Sequence, residues 1–128
     1  MIRVVDVHKS FGGQQVLRGV NLDFTAGKIT TIVGTSGCGK TVLLKHLNAL
    51  LLPDQGEILI DNVDITKLGQ KELYEMRGRF GVLFQGAALL DSMTIFDNVA
   101  FPLREKTRMS ESEIRKKVEE RLDQVGLE

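Results

Sequence analysis

The sequence predicts an α/β fold built around a loop that binds phosphate, and three observations support this. A β-branched run, 28–33, leads into a glycine-rich loop, 34–41, and apolar residues at helical spacing follow over 41–51. Two segments of alternating apolar residues, 2–7 and 17–24, come earlier and indicate paired antiparallel strands. A strand, a loop and a helix in this order form the context that a phosphate-binding loop requires. We therefore expect a nucleotide-binding core preceded by a small antiparallel sheet.

The first two strands are predicted from their period-two pattern. Their apolar positions are Ile2, Val4, Val7, Leu17, Val20, Leu22 and Phe24. Gly12 and Gly13 lie between the two segments and predict the turn that joins them. After Gly27, the run 28–33 carries apolar or β-branched residues on both of its faces. That pattern is typical of a strand buried in the middle of a sheet.

The loop matches the phosphate-binding pattern of Gly, four residues, Gly, Lys and Thr at every fixed position: Gly34-Thr35-Ser36-Gly37-Cys38-Gly39-Lys40-Thr41. Glycines let backbone N-H groups approach a triphosphate closely, and the start of the next helix adds favourable positive potential. We expect Lys40 to reach the β and γ phosphates and the Thr41 hydroxyl to bind Mg²⁺, with Val42 next in the cradle. The alternative is a glycine-rich turn with one solvated lysine.

Beyond the loop, the sequence predicts helices and strands in alternation. The helix over 41–51 should place its leucines on one face and end at Pro53: Leu43, Leu44, Leu47, Leu50 and Leu51. The further predicted elements are strands over 56–61 and 79–84, a turn at 61–62, a short helix over 70–76 and a helical tail. In the tail, Ser110 and Glu113 form a capping box ahead of Ile114, Val118, Leu122 and Val125.

Composition narrows the class of protein. At 128 residues the chain is one domain or part of one, and its 17 basic and 17 acidic residues cancel, so we expect no nucleic-acid partner. No apolar run approaches the roughly 20 residues that cross a bilayer, and the N-terminus does not resemble a signal peptide. The single cysteine, Cys38, fits a reducing compartment. It is either a small residue that the loop tolerates or a reactive thiol near a helix N-terminus.

The order of Phe11, the loop 34–41 and Gln85 resembles the first half of the nucleotide-binding domain of an ABC transporter ATPase. The resemblance implies a P-loop NTPase core of ABC type with an antiparallel β subdomain over 1–86, and the beginning of a helical subdomain over 87–128. It implies ATP and Mg²⁺ as cofactors, bound by the loop residues 34–42. It also implies that the domain is incomplete in this chain.

Two residues outside the loop receive roles from this resemblance. Phe11 lies where the family has an aromatic side chain, usually tyrosine, that stacks on adenine, and stacking needs only a π face. The alternative is that Phe11 is a core or hairpin aromatic. Gln85 corresponds to the glutamine that contacts Mg²⁺ or the attacking water, because its carbonyl oxygen suits a hard cation and its amide orients water. Lys40 and Gln85 are thus the residues expected to act in catalysis.

The segment 84–105 is similar to that of the MCE-associated ATPases that energise lipid transport across the bacterial envelope, in particular the maintenance-of-lipid-asymmetry type. The similarity lies in Gln-Gly-Ala-Ala-Leu followed by Phe-Asp-Asn-Val-Ala-Phe-Pro-Leu-Arg-Glu. It implies that the stretch 86–101 receives the coupling helix of a membrane permease. The alternative is that some of its apolar residues are core of the helical subdomain: Leu89, Leu90, Phe96, Val99 and Phe101.

Several parts of the family's catalytic site are not in this sequence. It has no Leu-Ser-Gly-Gly-Gln signature, no apolar strand ending in Asp-Glu and no switch histidine, and we expect His8 and His46 to be surface or partly buried residues. In the family, hydrolysis needs these parts and a head-to-tail dimer. We therefore expect this portion to bind ATP or ADP weakly and to hydrolyse little, and its unpaired strand edge favours self-association.

The function implied by the resemblance is that of an ATP-binding subunit that couples ATP hydrolysis to transport of phospholipid. Its implied partners are a second ATPase subunit, a membrane permease and an MCE-domain lipid-binding protein. Its implied location is cytoplasmic, peripheral on the inner face of the plasma membrane. The alternatives are an ABC ATPase for another substrate, including a small-solute importer or a soluble non-transport member, and a non-catalytic nucleotide-binding module.

Overall fold

The computed structural model describes residues 1–86 and 88–127, which form two compact units, Met1–Gly81 and Val82–Glu128. Ala87, inside the predicted permease-contacting stretch, and Glu128 lie outside the described residues. Each unit has its own apolar core. None of the helices in the described ranges is long and apolar enough to cross a membrane.

The first unit contains a four-stranded antiparallel sheet in the order β2-β1-β3-β4. The strands are β1 (Ile2–Phe11), β2 (Gln14–Phe24), β3 (Gln55–Ile60) and β4 (Val63–Asp64). Gly12 and Gly13 form the turn between β1 and β2 with φ of 54° and 83°, a region that glycine adopts without strain. The predicted antiparallel pair and its turn are therefore confirmed. β4 is a short addition that the sequence pattern did not indicate.

Helix α1 (Lys40–Leu47) follows the loop and is shorter than predicted. Leu43 and Leu47 are buried in the core of the first unit, whereas Leu44 and Leu50 are exposed. The helix ends where Ala49 takes a φ of 59°, a left-handed conformation that closes many helix C-termini. The prediction that five leucines share one helical face is therefore wrong, because the chain leaves the helix before Leu50 and Leu51.

The predicted strands over 28–33 and 79–84 are not strands in the structure. Ile29 is 99% exposed and Val33 is 87% exposed, so the prediction of a run buried in mid-sheet is wrong for this chain. A strand is defined by its hydrogen bonds to a neighbour, and within the described residues neither segment pairs with one. Only Ile32 and Phe80 of these runs pack against the core of the first unit.

The first unit is completed by helix α2 (Gln70–Arg77), close to the predicted 70–76. Leu73 and Met76 bury one face of it in the core. The predicted turn is present at Asp61 and Asn62, which have φ of 48° and 66°. This is the pair of left-handed residues that a tight hairpin between β3 and β4 needs.

The second unit is formed by helices α3 (Ile95–Lys106) and α4 (Glu111–Asp123). Its core is Ala100, Ile114 and Val118, with Leu122 packed against them. The predicted capping box of α4 is confirmed, because Ser110 N donates to Glu113 Oε2 at 2.8 Å and Glu113 N donates to Ser110 Oγ at 3.4 Å. The two ends of the box satisfy amides that the first helical turn leaves without partners.

Candidate nucleotide-binding site

The glycine-rich loop is held in a closed shape by the lysine at its end. Lys40 Nζ donates to the carbonyl oxygens of Gly34, at 2.8 Å, and Thr35, at 2.7 Å. The Cys38 N-H donates to Thr35 O at 3.4 Å across the same loop. The ammonium group therefore lies inside the curve of the backbone, where it can exchange these carbonyls for the oxygens of a bound phosphate.

The junction between loop and helix requires glycine. Gly39 has a φ of 98°, which L side chains rarely adopt, and it precedes the first residue of α1. A Cβ on Gly39 would lie 3.1 Å from Val16 Cγ1 and 3.2 Å from Leu17 Cδ2. The absence of a side chain at Gly39 thus allows β2 to pack directly against the end of the loop.

The start of α1 presents unpaired amides beside the loop. The first backbone bond that closes on the helix runs from Leu43 N to Gly39 O, at 2.8 Å. The amides of residues 40–42 precede this bond and have no acceptor within the helix. They and the helix dipole favour an anion at this end of α1. The backbone and Lys40 together fit the phosphates of a nucleotide.

A cleft of about 430 Å³ lies between this loop and β2. Its lining residues are Gln14, Gln15, Val16, Arg18, Val20, Gly37 and Cys38. The residues of β2 in this set were missed by the sequence analysis, which treated 17–24 only as a strand. One signal could have indicated that β2 lines the site: β2 begins directly after the turn that follows Phe11. The face of β2 that meets the loop is set by packing at Gly39 and could not be assigned from alternation alone.

Phe11 lies at the end of β1, opposite Gln14, and is 45% exposed, so it is not a core aromatic but does lie at the β1–β2 hairpin, as the hairpin alternative expected. Lys9 Nζ lies 5.6 Å from the centre of the Phe11 ring, a cation-π distance. Lys9 is fixed there by an ion pair with Asp54 Oδ1 at 2.7 Å. The hydrogen bond from Lys9 Nζ in this ion pair, with one from the Ser10 N-H, holds the pKa of the Asp54 carboxyl below its usual value.

The other predicted site residues are distributed over both units. Thr41 is exposed and Val42 is half-buried in the first turn of α1, in the first unit. Gln85 belongs to the second unit, where it is exposed in a turn with Gly86. Within residues 1–86 and 88–127, no three His, Cys, Asp or Glu side chains are grouped to hold a metal ion.

Comparison with known proteins decides the family. A family model described as ABC transporter matches residues 17–128. The chain belongs to the ABC transporter family. A solved ATP-binding cassette, MJ0796, in a dimeric post-hydrolysis state bound to ADP and Pi, is similar to the chain with a TM-score of 0.88 and 35% identity. That similarity covers 100% of this chain and 58% of the cassette, and it confirms the predicted ABC-type P-loop fold.

Curated ABC relatives are similar over almost the whole chain. The chain is 52% identical to a probable ribonucleotide transport ATP-binding protein, mkl, of Mycobacterium leprae, over 98% of this chain and 36% of the relative. It is 47% identical to the intermembrane phospholipid transport system ATP-binding protein MlaF of Haemophilus influenzae, over 99% and 48%. It is 44% identical to the methionine import ATP-binding protein MetN of Aliivibrio fischeri, over 99% and 38%. The chain thus spans half or less of the length of these relatives.

The five apolar residues singled out in the stretch 86–101 of this ABC chain divide into two groups. Phe96 and Val99 pack against the core of the second unit, as the core alternative predicted. Leu89, Leu90 and Phe101 are exposed, Leu89 to 62%. These three residues, with the exposed Met93 and Ile95, are available to a partner.

One histidine differs from expectation. His46 is 0% exposed, so the prediction of a surface or partly buried residue is wrong for it. Its Nδ1 lies 2.7 Å from Val42 O, one helical turn earlier in α1. The side chain fills the core side of the helix that follows the loop, a position that the leucine pattern did not reveal.

Proposed function

We propose that the intact protein is the ATP-binding subunit of an ABC transporter and couples ATP binding and hydrolysis to transport. The observation that carries the proposal is the closed loop, with Lys40 Nζ bonded to two loop carbonyls beside the cleft on β2. The name of the MJ0796 cassette describes a state after hydrolysis, with ADP and Pi bound. Mkl, MlaF and MetN are all named as ATP-binding proteins for transport.

Each site residue has a proposed part in this function. Lys40 and the amides of 40–42 hold the phosphates and stabilise the charge that develops during phosphoryl transfer. Thr41 is a proposed ligand of Mg²⁺, which neutralises phosphate charge when bound. Phe11 stacks on adenine, which its exposure permits. Gln85 is proposed to bind Mg²⁺ or to orient water. The support is its position in the sequence, which corresponds to that of the glutamine in ABC ATPases.

The proposed substrate is phospholipid and the proposed place of work is the inner face of the plasma membrane. The support is the segment 84–105 and the 47% identity to MlaF, which is named for phospholipid transport. Mkl is named for ribonucleotide transport and MetN for methionine import, so these substrates are the competing assignments. The proposed partners are a second ATPase subunit, a permease and an MCE-domain protein.

The ATPase part of the proposal is tested with the full-length protein. Lys40→Ala should lower ATP turnover by roughly 100-fold or more, because it removes the ammonium group from the phosphates. Lys45→Ala is the matched control, since Lys45 is an exposed basic residue of the same helix. Turnover that survives Lys40→Ala would show that the loop is not a catalytic phosphate site, and the non-catalytic module would then be favoured.

The transport part is tested by co-purification and by lipid transfer. The full-length protein should co-purify with a multispan permease, and Leu89→Glu should weaken that association while ATP binding is unchanged. Val125→Glu is the control, because Val125 is also exposed in the second unit but lies outside the stretch 86–101. The reconstituted complex should move a fluorescent phospholipid between vesicles in an ATP-dependent way. Transfer of methionine or a ribonucleotide in place of the lipid would contradict the substrate assignment.

A further inference from the structure

We propose that Arg18 binds a phosphate group of the nucleotide. The inference rests on the proposed function, in which the loop 34–41 holds ATP. It goes beyond the loop motif because Arg18 belongs to β2, on the opposite wall of the cleft. It assigns a second source of positive charge to the site besides Lys40.

The position of Arg18 is fixed by the strand that carries it. Val16 lies two residues before Arg18 on β2, and it packs within contact distance of the Cβ position of Gly39. Arg18, Gly37 and Cys38 line the same cleft of about 430 Å³. Arg18 therefore lines the space beside the segment of the loop whose amides are proposed to receive phosphate.

The charge of Arg18 has no carboxylate partner in the described parts of the chain. Its Nε donates to Gln15 O at 3.4 Å, a long bond at the limit of the useful range. Arg3 and Arg104, by comparison, do have acidic partners: Arg3 pairs with Asp23 at 3.1 Å, and Arg104 pairs with Glu111 at 3.0 Å. An arginine that lines a cleft, with no counter-ion among the described residues, is suited to an anionic ligand.

The chemistry of the side chain points to phosphate. The planar fork of arginine matches two oxygens of a phosphate group, whereas lysine offers a single point charge. Arg18 is exposed, and among the described residues its side chain is hydrogen-bonded to the Gln15 carbonyl alone, so it can turn toward the loop. A phosphate gripped by the loop would then also receive a charge-assisted bond from β2, which joins the sheet to the nucleotide.

The test compares ATP with inorganic tripolyphosphate by calorimetric titration of the full-length protein. Arg18→Gln should raise the Kd of both ligands about tenfold, the effect of losing one charge-assisted hydrogen bond. Arg18→Lys should restore part of the affinity, and the dependence of binding on salt should weaken in Arg18→Gln. Arg3→Gln is the control, because Arg3 is paired with Asp23 and lines no part of this cleft.

The outcomes separate this inference from the proposed function. If Lys40→Ala fails to weaken ATP binding, the loop assignment itself is wrong. If Lys40→Ala weakens binding but Arg18→Gln binds both ligands like the wild type, only the Arg18 inference is overturned. If Arg18→Gln weakens ATP but not tripolyphosphate, Arg18 contacts the sugar or base, and the phosphate assignment is overturned. A melting temperature equal to that of the wild type will show that Arg18→Gln is folded.

Discussion

Gly34 and Cys38 approach each other so closely across the phosphate loop that a Cβ on Gly34 would lie 2.7 Å from Cys38 Sγ. Real Cβ atoms do not tolerate such a contact, so Gly34→Ala should displace either the thiol or the backbone between the two residues. We expect Gly34→Ala to weaken ATP binding by about tenfold, since a loop shifted by a few tenths of an ångström mispositions its amides. The measurement is calorimetric titration of the full-length protein.

The cause of this loss is checked with a double-mutant cycle. Cys38→Ala removes the Sγ atom and should bind ATP almost like the wild type. Gly34→Ala combined with Cys38→Ala should recover most of the lost affinity, which gives a coupling free energy of about 1 kcal/mol. If the double variant binds no better than Gly34→Ala, the clash lies with the backbone and not with the thiol.

Cys38 also reports directly on nucleotide binding. It is the single cysteine of the chain, and it is exposed beside the loop. We expect MgATP to slow its alkylation by a small maleimide, because bound phosphate would cover the loop. In Lys40→Ala the same concentration of MgATP should give little protection. Equal labelling rates with and without MgATP, at a concentration that saturates binding, would contradict a nucleotide site at this loop.

The parts of the structure that were predicted correctly are those determined by local sequence. The turn at Gly12 and Gly13 needs only two residues that tolerate positive φ, and the α4 cap needs only Ser110 and Glu113 at the right spacing. The loop 34–41 is likewise set by its glycines and by the lysine that bonds to its carbonyls. In each case the residues that determine the conformation are neighbours in the chain.

The parts that were predicted wrongly, or were not predicted, depend on distant residues. Whether 28–33 becomes a strand depends on a neighbour to pair with, and no described segment supplies one. The burial of His46 and the exposure of Leu44 depend on which face of α1 meets the sheet. The place of Arg18 at the cleft depends on the packing of β2 against Gly39. Sequence patterns give periodicity, but they do not say what lies opposite each face.

The ion pair of Asp54 and Lys9 should make stability depend on pH. The Lys9 hydrogen bond, and then that of the Ser10 N-H, lowers the pKa of Asp54 from its usual 3.8 in the folded state. A lowered pKa stabilises the fold above the unfolded value, and this contribution is lost as the pH falls through the folded value. Asp54→Asn should therefore lower the urea midpoint at pH 7, and its difference from the wild type should shrink below about pH 4.

A control for this comparison is Asp91→Asn, since Asp91 is exposed and has no ion pair within the described ranges. It should leave the urea midpoint at pH 7 nearly unchanged. A difference between Asp54→Asn and the wild type that stays constant from pH 7 to pH 3 would mean that the carboxylate charge of Asp54 does not contribute to stability.

Asn98 of α3 should hold the exposed turn that precedes the helix. Its Oδ1 accepts from Leu90 N at 2.8 Å, and its Nδ2 donates to Leu90 O at 3.1 Å and Thr94 O at 3.0 Å. Asn98→Ala should lower the free energy of unfolding by about 1 kcal/mol, because these bonds are exposed, and it should speed amide exchange at Leu90. Asn98→Asp should not rescue the turn, because it loses the donors. Lys116→Ala, at an exposed position of α4, is the control. Unchanged amide exchange at Leu90 in Asn98→Ala would contradict the role of Asn98.

The native His46 side chain should reduce the free energy of unfolding, because it is buried in the helix that follows the loop with a nitrogen that is unpaired within the described ranges. It is fully buried, and its Nε2 has no hydrogen-bond partner among the described residues. A buried polar atom without a partner costs about 1 to 3 kcal/mol, whereas Val42 O can keep the backbone bond of the helix when the ring is removed. His46→Leu, of similar size, should therefore raise the free energy of unfolding by about 1 kcal/mol in urea titration. Leu43→Ala, in the same core, should lower it by about 2 to 5 kcal/mol, and a loss in both variants would mean that Nε2 is bonded in solution.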